Sequence, residues 1–495
     1  MAAGICRNCF SAGCCVSAAN CSIHRWQRHV LRTSMYKSIR TLAILLCGVQ
    51  IYAQSISIEP ILFGIHRSSG GIWQGKAKPI SFAGWGVRGK LEYGRWGLEA
   101  DLVLMRFFGL GDIPNRFSPE QGFSWKQHAT GKAKELDTDY SSMKMTYKAG
   151  GFTAMLGKFS QSWGPGLHSL TVSEKPPTYP QFGFEWRINE KWHFSYLHGD
   201  LLSGIVDSLA TLYSGMAGIR RIYLDRYIAT HRLEWSPVEW LTLGLVESVV
   251  YGARGMETIY LMPFMSLWSA EHYLGDTDNV QMSADLTWLP RPDLKFYGVF
   301  MMDEWRPEKT FKDTNHNWFA WQGGLDWHSI LLDEDRLVME ATWTDHRINR
   351  HQFPINDFSS HGYPLGHWTG AHAQSLFASY ILPRWGSRFM VSYLYAKRGE
   401  LTCDMLDDQY DIVPYTRFSG STETIQTLDV IEARPVWRKL WLEITVSRIW
   451  WANAGFSPAE PESGNLEDVS KTSLNVGFYY NFDFPGYSIT FLRSR

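Results

Sequence analysis

Residues 186–192, Trp-Arg-Ile-Asn-Glu-Lys-Trp, decide the fold of this chain, because their pattern recurs along it. A short polar turn, often containing Pro or Gly, is flanked by Trp or Tyr and by strands of alternating polarity. These turns follow one another about every 40 to 55 residues, whereas the turns of a soluble sandwich come about every 8 to 12. Each interval therefore holds two strands and one longer connection. The turns are Gly94-Arg95, Gly150-Gly151, Asn189-Glu190-Lys191, Ser236-Pro237-Val238-Glu239, Pro290-Arg291-Pro292-Asp293, Asp333-Glu334-Asp335, Arg384-Trp385-Gly386-Ser387 and Trp437-Arg438-Lys439.

The strands beside these turns alternate in polarity with a period of two. Apolar and polar side chains alternate in residues 142–149, 337–343, 442–447 and 474–484. In a membrane barrel, one set of side chains meets lipid and the other meets a wet lumen. A soluble sheet with one buried face would give the same alternation in any single strand.

Aromatic residues distinguish the two alternatives. Trp235 and Trp240 bracket one turn, and Trp437 and Trp441 flank another. An indole ring has an apolar body and one donor, so it favours the boundary between hydrocarbon and headgroups. The chain contains 23 Trp, 23 Tyr and 27 Phe, enough for an aromatic girdle at each interface. The sequence therefore predicts an all-β fold, a transmembrane antiparallel β-barrel.

Short turns on one side and long loops on the other are typical of outer-membrane barrels. Eight periplasmic turns predict eighteen strands, within a range of about 16 to 20. Either residues 55–66 form the first strand and 471–484 the last, or residues 55–66 are not a wall strand and 487–492 close the barrel. The long connections are expected to face outward. They are residues 109–140, 161–180, 199–225, 252–278, 305–317, 347–370, 398–423 and 453–469.

The first 53 residues are expected to be absent from the working protein. Residues 35–53 have a basic start, a short apolar run and an ending that suits signal cleavage before Gln54. Cys6-x-x-Cys9 has the spacing of zinc ligands, but residues 1–34 are interpreted as an upstream mis-start or non-functional extension. The barrel is assigned to residues 54–495. Downstream of residue 53 there is no run of about 18 apolar residues that could form a membrane-spanning helix.

Charge argues against a nucleic-acid partner. The chain has 48 Lys+Arg and 49 Asp+Glu, and residues 1–53 hold six of the basic residues and no acidic ones. Removing them leaves 42 basic against 49 acidic residues, a net charge of −7. Nucleic-acid binding depends on clustered positive charge.

Several polar groups are candidates for chemistry or for a lumen network. Five histidines between residues 346 and 372 have no regular spacing for a metal site, so they are predicted to lie in a solvated loop. Asp303 and Glu304 could serve as acids of a surface glycosidase, or stiffen the lumen. Glu247 breaks the phase of its apolar strand, which predicts a bulge turning it inward or a position at the rim. Inside, it could pair with Arg232 or Arg254.

The most specific motif is Trp163-Gly164-Pro165-Gly166, within residues 157–170. Proline fixes φ and the glycines take angles that other residues avoid, so the motif predicts a sharp bend that presents one flat ring. Together with later segments, this motif resembles the capsule assembly Wzi family over residues 140–305. The later segments are Pro176-Pro177, Arg232-Leu233-Glu234, Glu247-Ser248-Val249-Val250-Tyr251, Leu261-Met262-Pro263, Asp278-Asn279 and Asp303-Glu304.

The resemblance implies a non-enzymatic outer-membrane barrel of a Gram-negative bacterium that binds capsular or other surface polysaccharide and helps to retain it. Ligand contacts are expected at Trp163, Gly164, Pro165, Gly166, Asp278 and Asn279. A lumen network is expected from Glu247, Arg232, Arg254, Asp303 and Glu304. We expect a monomer without metal or cofactor that contacts outer-membrane lipid and requires barrel-insertion machinery. A channel or transporter for a small solute or lipid is the alternative.

Overall fold

A computed structural model describes residues 54–110, 113–124, 135–214, 218–304, 317–407, 417–461 and 466–481. These residues belong to two compact units. The smaller unit includes residues 54–56 and 91–94, where the backbone nitrogen of Gln54 donates to the carbonyl oxygen of Glu92 at 2.9 Å. The larger unit is the barrel. The predicted closing strand at residues 487–492 lies outside the described residues.

Eighteen strands form the barrel wall, as predicted. Each pairs with the next along the chain, and the last pairs with the first, so that Leu62 lies opposite Tyr480 and the sheet closes. The first of the two predicted closures is therefore confirmed. The wall strands are β1 (Ser55–Arg67), β2 (Ile80–Tyr93), β3 (Trp96–Phe108), β4 (Glu135–Ala149), β5 (Phe152–Phe159), β6 (Tyr179–Arg187), β7 (Trp192–Ser214), β8 (Gly218–Val238), β9 (Leu241–Gly252), β10 (Asn279–Arg291), β11 (Leu294–Glu304), β12 (Trp318–His328), β13 (Arg336–Thr344), β16 (Ala373–Arg384), β17 (Ser387–Gly399), β18 (Thr422–Trp437), β19 (Leu440–Ala454) and β20 (Glu467–Tyr480), with a small ladder of β14 (Ser359–Ser360) and β15 (Tyr363–Pro364).

The period-two pattern sets which face each side chain takes. Along β19, Glu443 and Thr445 are buried toward the lumen, whereas Val446 and Trp450 are exposed on the outer wall. Apolar side chains on the outer face contact the hydrocarbon of the membrane, and polar side chains on the inner face form hydrogen bonds in the lumen. The alternation predicted for residues 442–447 is confirmed.

All eight predicted turns connect neighbouring strands. In the turn after β16, Trp385 and Gly386 both have positive φ, 52° and 72°, which suits a tight hairpin. The turn after β8 comes slightly later than predicted. The strand continues to Val238 because an irregularity in the register after Trp235 absorbs Pro237.

One hairpin is much longer than a membrane crossing requires. Strand β7 has 23 residues and β8 has 21, whereas about 9 to 11 residues suffice to span a bilayer. Their far ends therefore extend beyond the hydrocarbon on the side opposite the short turns.

Four connections fold into the lumen. For three of them, which overlap the predicted connections 109–140, 161–180 and 347–370, the prediction that they face outward is wrong. The fourth, residues 68–79, was not among the predicted outward connections. We call residues 68–79, 113–124, 160–178 and 345–372 the plug. Trp73 stacks on Phe82 of the wall with ring centroids 5.0 Å apart, and Trp368 packs in one cluster with Leu394. These connections carry apolar side chains whose burial in the lumen offsets the cost of ordering them. The first two plug connections contain Trp73, Phe117 and Phe123, all buried.

Residues 253–278, the outer-wall segment, take a different route. Their helix α1 (Leu267–Leu274) packs Leu267 and Ala270 against Ala229 and Val249, which face outward from the wall. Ser266 is the N-cap of helix α1, and its hydroxyl accepts from the backbone nitrogen of Ser269. The described chain also has helix α2 (Cys403–Asp407) and 3-10 turns at Gly71–Trp73, Ile259–Leu261 and Pro354–Asn356. None of the helices in these residues is long and apolar enough to cross a bilayer.

Candidate functional site

Glu340 fastens the plug to the wall. Its position on β13 faces the lumen, and its Oε2 accepts hydrogen bonds from the backbone nitrogen of Leu167 and the hydroxyl of Tyr297, both at 2.7 Å. Its Oε1 lies 2.8 Å from Nδ1 of His168. Hydrogen bonds to a buried carboxylate are stronger than those between neutral groups. One wall residue therefore holds the bend of plug residues 160–178.

The neighbouring contacts explain why the bend contains glycine. A Cβ on Gly166 would lie 2.3 Å from Oε1 of Gln322 and 3.0 Å from Oε2 of Glu340, so a side chain at this position would displace the Gln322 amide. The amide of Gln322 donates to the carbonyl oxygen of His168 at 2.6 Å, and Nζ of Lys295 donates to that of Pro165 at 3.3 Å. Gly164 has φ of 98°, which favours glycine. The predicted sharp bend is present, and it lies inside the barrel.

The predicted presentation of the Trp163 ring is wrong. The side chain is 8% exposed and packs with Leu197 and Ile228 of the wall. Its Nε1 donates to Oε1 of Gln161 at 3.0 Å. A ring buried in this way has no face for a sugar to stack on, so Trp163 contributes to the packing of the plug.

Lys175 joins two parts of the plug. Its Nζ donates to the carbonyl oxygens of Ser118 and Glu120 at 2.6 and 2.7 Å. Burial lowers the pKa of Lys175 to about 7, because the charged amine loses its hydration. This contact ties residues 113–124 to residues 160–178.

Asp303 holds another part of the plug from within the lumen. Its Oδ2 accepts from the backbone nitrogen of Asn349 at 2.6 Å and from the amide of Gln281 at 3.1 Å. The alternative of a glycosidase acid would require a carboxyl group accessible to substrate, but the Asp303 carboxylate is buried and holds these bonds. Glu304, at the end of β11, is half-buried.

Arg232 also lies in the lumen, but its partners differ from those predicted. Its two terminal nitrogens contact the carboxylate of Asp285, and Nη2 lies 3.0 Å from Oε1 of Glu234. Glu234 on the same strand and Asp285 on β10, beyond β9, therefore neutralise one buried guanidinium. The predicted pairing with Glu247 does not occur.

Glu247 faces outward, contrary to the predicted alternative of a bulge that turns it into the lumen. The register of β8 and β9 is regular here, so Glu247 shares the outward phase of Leu245 and lies opposite His231. Its Oε2 is 3.0 Å from Nε2 of His231, and its Oε1 accepts from the backbone nitrogen of Trp268 at 2.7 Å. The outer-wall segment covers the carboxylate. A charged residue is therefore tolerated on the wall because a helix N-terminus and an imidazole satisfy it.

Arg254, Asp278 and Asn279 lie where the outer-wall segment meets the wall. Arg254 bonds to Asp278 at 2.5 Å and to Glu257 at 2.7 Å, and Tyr260 donates to Asp278 at 2.7 Å. These contacts anchor the segment, so Arg254 does not belong to a lumen network. Asn279 begins β10 and is buried.

The predicted solvated histidine loop is also wrong. Residues 345–372 belong to the plug, and His346 and His367 are 4% and 1% exposed. Burial lowers the pKa of His346 to about 4 and that of His367 to about 3, since both imidazolium forms would lose hydration. Both rings are therefore neutral at physiological pH. The remaining histidines between 346 and 372 are buried, except His361, which is half-buried.

A cavity of about 370 Å³ lies in the lumen between the plug and strands β17 to β20. This volume falls within the range of small-molecule pockets, about 300 to 1,000 Å³. Its wall offers hydroxyl and carboxylate groups beside aliphatic side chains. The polar lining includes Arg67, Glu120, His168, Asp429, Glu443 and Thr445.

Part of the plug remains exposed at the rim beside β8 and β9. Gln352 and Phe353 are exposed there, and Phe353 is 46% accessible. Arg226 of β8 fixes the tip by donating to the carbonyl oxygens of Pro354 and Ile355, both at 2.6 Å. We call residues 350–354 the rim tip.

Sequence reasoning identified Asp303 and Arg232 as lumen residues but missed Glu340, His168, Lys175 and Arg226. Glu340 lies in an alternating strand where a polar residue is expected, so its sequence position carries no special signal. Its partner Leu167 lies 173 positions away. Only the folding of the plug brings these groups together.

Three comparisons relate the chain to known proteins. A search of curated proteins found no match. Among solved structures, the chain is similar to Wzi of Escherichia coli, which is described as an outer membrane protein involved in group 1 capsule assembly and a carbohydrate binding β-barrel. The TM-score is 0.51 and the sequence identity 16%, over 89% of this chain and 87% of that chain. OpdK of Pseudomonas aeruginosa, solved with vanillate, has TM-score 0.46 and 11% identity, covering 87% and 99%.

The Escherichia coli Wzi structure supports the fold of a β-barrel. The family described as capsule assembly protein Wzi matches residues 93–456, a range that extends well beyond residues 140–305, where the resembling motifs lie. This match covers most of the chain. The protein is therefore an outer membrane β-barrel that belongs to the capsule assembly protein Wzi family.

Proposed function

We propose that this barrel binds capsular or other surface polysaccharide and helps to assemble or retain it at the cell surface, without cleaving it. The observation that carries the proposal is the fixed plug. Glu340, Asp303 and Lys175 hold separate plug connections through buried hydrogen bonds. A lumen filled by anchored connections suits a stationary binding surface better than a wide channel.

The rim tip is the part of the plug that we assign to polysaccharide contact. Phe353 offers an exposed aromatic face, Gln352 offers an amide, and Arg350 offers a guanidinium paired to Asp357 at 3.3 Å. Aromatic rings bind apolar faces, and planar polar groups bond hydroxyls or carboxylates of a polymer. Because Arg226 already fixes the backbone of this tip, binding would cost little ordering entropy.

A direct test is the affinity of the detergent-solubilised barrel for polysaccharide purified from the surface of its own cells. We expect Phe353→Ala to weaken binding about tenfold, equivalent to about 1.4 kcal/mol. Trp385→Ala is the matched control, because Trp385 is an exposed aromatic in a short turn at the opposite end. Equal affinities for the two variants and the wild type would remove the rim tip from the site.

The cellular arm tests the function itself. Deleting the gene should reduce cell-associated polysaccharide and increase the polysaccharide released into the medium. Reintroducing the wild-type chain should restore retention. Unchanged surface polysaccharide after deletion would reject the proposed function, whatever the result at Phe353.

A small-solute channel is the second candidate, and the cavity beside β17 to β20 favours it. Its volume of about 370 Å³ could hold one small ligand. Conductance in a planar bilayer separates the two functions. A large, steady current through the wild-type protein supports the channel, and a closed or nearly closed lumen supports the binder.

A surface glycosidase would release reducing sugar from the bound polymer. We expect no release, because Asp303 is buried and bonded to Asn349 and Gln281. Release that disappears in Asp303→Asn would support the enzyme instead.

A further inference from the structure

Three side chains from separate parts of the molecule converge inside the barrel. His168 belongs to plug residues 160–178, Glu340 to strand β13, and His367 to plug residues 345–372. One potential ligand atom from each lies within 4.8 Å of those of the other two. Two imidazoles and a carboxylate are a set of ligands that transition metal ions favour.

The contact between His168 and Glu340 already brings two potential ligand atoms close together. Nδ1 of His168 lies 2.8 Å from Oε1 of Glu340, and both residues are buried or nearly so. In a tetrahedral site with bonds of about 2.0 to 2.2 Å, neighbouring ligand atoms lie about 3.3 to 3.5 Å apart. If these two atoms moved apart by a few tenths of an ångström, an ion could bind to both of them. The other bonds of Glu340, from Leu167 and Tyr297 to Oε2, hold the carboxylate in place.

His367 supplies an independent observation. Its Nδ1 lies 2.8 Å from the hydroxyl of Thr369 and 3.4 Å from the backbone nitrogen of the same residue. Its Nε2 is buried and has no hydrogen-bond partner among the described residues. Buried polar atoms without partners are uncommon and costly. When Nδ1–H donates to the nearer hydroxyl, the lone pair of Nε2 is available to an ion, as in metal-binding histidines. The His367 ring lies 5.9 Å from that of His168, nearly perpendicular to it.

We infer that His168, Glu340 and His367 form a binding site for a divalent metal ion of the zinc type, which links two plug connections to the wall. Oxygen-preferring ions such as Mg²⁺ and Ca²⁺ fit poorly, because two of the three ligands are imidazole nitrogens. The three residues occupy three positions of a tetrahedral ion and leave the fourth for water. The role is structural, since the ion joins segments that lie far apart in the sequence.

The test uses the full barrel in detergent after treatment with a chelator. Zn²⁺ should bind at one equivalent per chain, and Co²⁺ should give the visible absorption of a tetrahedral site. His367→Gln should weaken Zn²⁺ binding more than about 100-fold, because even the outer partners of metal ligands contribute about 10- to 100-fold. The thermal midpoint of the wild type should rise with Zn²⁺, and that of His367→Gln should not.

Two control variants make the result specific. His346→Gln replaces another buried plug histidine outside the cluster and should retain full binding. Glu271, His272 and Asp276 on the outer-wall segment, the last two of them exposed, could also bind metal, so His272→Gln is measured in parallel. The inference is overturned if Zn²⁺ does not bind stoichiometrically, if binding survives in His367→Gln, or if only His272→Gln abolishes it.

Discussion

Oε2 of Glu340 lies 2.7 Å from the backbone nitrogen of Leu167, a residue 173 positions earlier in the chain. This contact joins the barrel wall to the plug at a buried site. A buried carboxylate with several donors is costly to replace, because each donor then loses its partner. The wall therefore holds the plug in position, and the plug in turn fills the lumen that the wall encloses.

Replacing Glu340 should loosen the plug. We expect Glu340→Ala to lower the free energy of unfolding by about 2 to 5 kcal/mol and to increase current fluctuations in a planar bilayer. Glu99→Ala is the control, since Glu99 is 64% exposed on β3 and pairs with Lys90 on the surface. If both variants conduct like the wild type, Glu340 does not restrain the plug.

The ion pair of Arg232 and Asp285 should show the asymmetry of buried charges. Two acids, Asp285 and Glu234, neutralise the buried guanidinium of Arg232, and Asp285→Ala removes one of them. We therefore expect the free energy of unfolding to fall by about 3 to 5 kcal/mol. The double variant Arg232→Met with Asp285→Leu should recover most of that stability. Urea unfolding followed by tryptophan fluorescence measures both. A double variant no more stable than Asp285→Ala would contradict this account of the pair.

Glu247 should control the order of helix α1. Its carboxylate accepts from the backbone nitrogen of Trp268 and from the hydroxyl of Ser266 at the start of the helix. We expect Glu247→Ala to accelerate amide hydrogen exchange in residues 267–274 about fivefold to tenfold, equivalent to about 1 kcal/mol. Glu239→Ala, at an exposed position in the turn after β8, is the control. Equal exchange in all three proteins would show that the carboxylate does not hold the segment.

Lys175 should make stability depend on pH. Its pKa falls from 10.5 in the unfolded chain to about 7 in the buried site, so between these values the unfolded state binds more protons than the folded state. Stability should therefore rise as pH increases from about 7 to 10. Lys175→Met should flatten this rise in denaturant midpoints measured across that window. An equal slope in the variant would assign the effect to other groups.

Trp163 should behave as a packing residue. We expect Trp163→Ala to destabilise the barrel by about 3 to 5 kcal/mol, whereas Trp163→Phe should cost less because it fills most of the space. Properly folded Trp163→Phe should bind polysaccharide with wild-type affinity. A selective loss of affinity without loss of stability would restore Trp163 to the contact surface.

The strands could be predicted because their determinants are local. Alternating polarity in residues 337–343 and 442–447 predicts which side chains face lipid and which face the lumen. Polar turns such as Asn189-Glu190-Lys191 predict where strands end. The number of strands follows from counting turns. Trp186 and Trp192 mark an interface by their own chemistry.

The positions of the long connections were not predictable in the same way. Plug residues 160–178 and outer-wall residues 253–278 are both polar and aromatic, yet one enters the lumen and the other lies on the outer wall. Glu247 illustrates the reason. An outward-facing carboxylate would be unfavourable in lipid, but hydrogen bonds from the hydroxyl of Ser266 and the backbone nitrogen of Trp268 satisfy it. These donors belong to the outer-wall segment, which only the folded chain brings to Glu247.

By itself, the sequence determined an outer-membrane barrel of eighteen strands, because hydrogen bonding, period-two polarity and interfacial aromatics act between near neighbours along the chain. Only the tertiary structure decided that the lumen is filled, that Trp163 is buried, and that His168, Glu340 and His367 meet. Those contacts join residues far apart in the sequence, and their free energy depends on which surfaces the connections cover after the wall has closed.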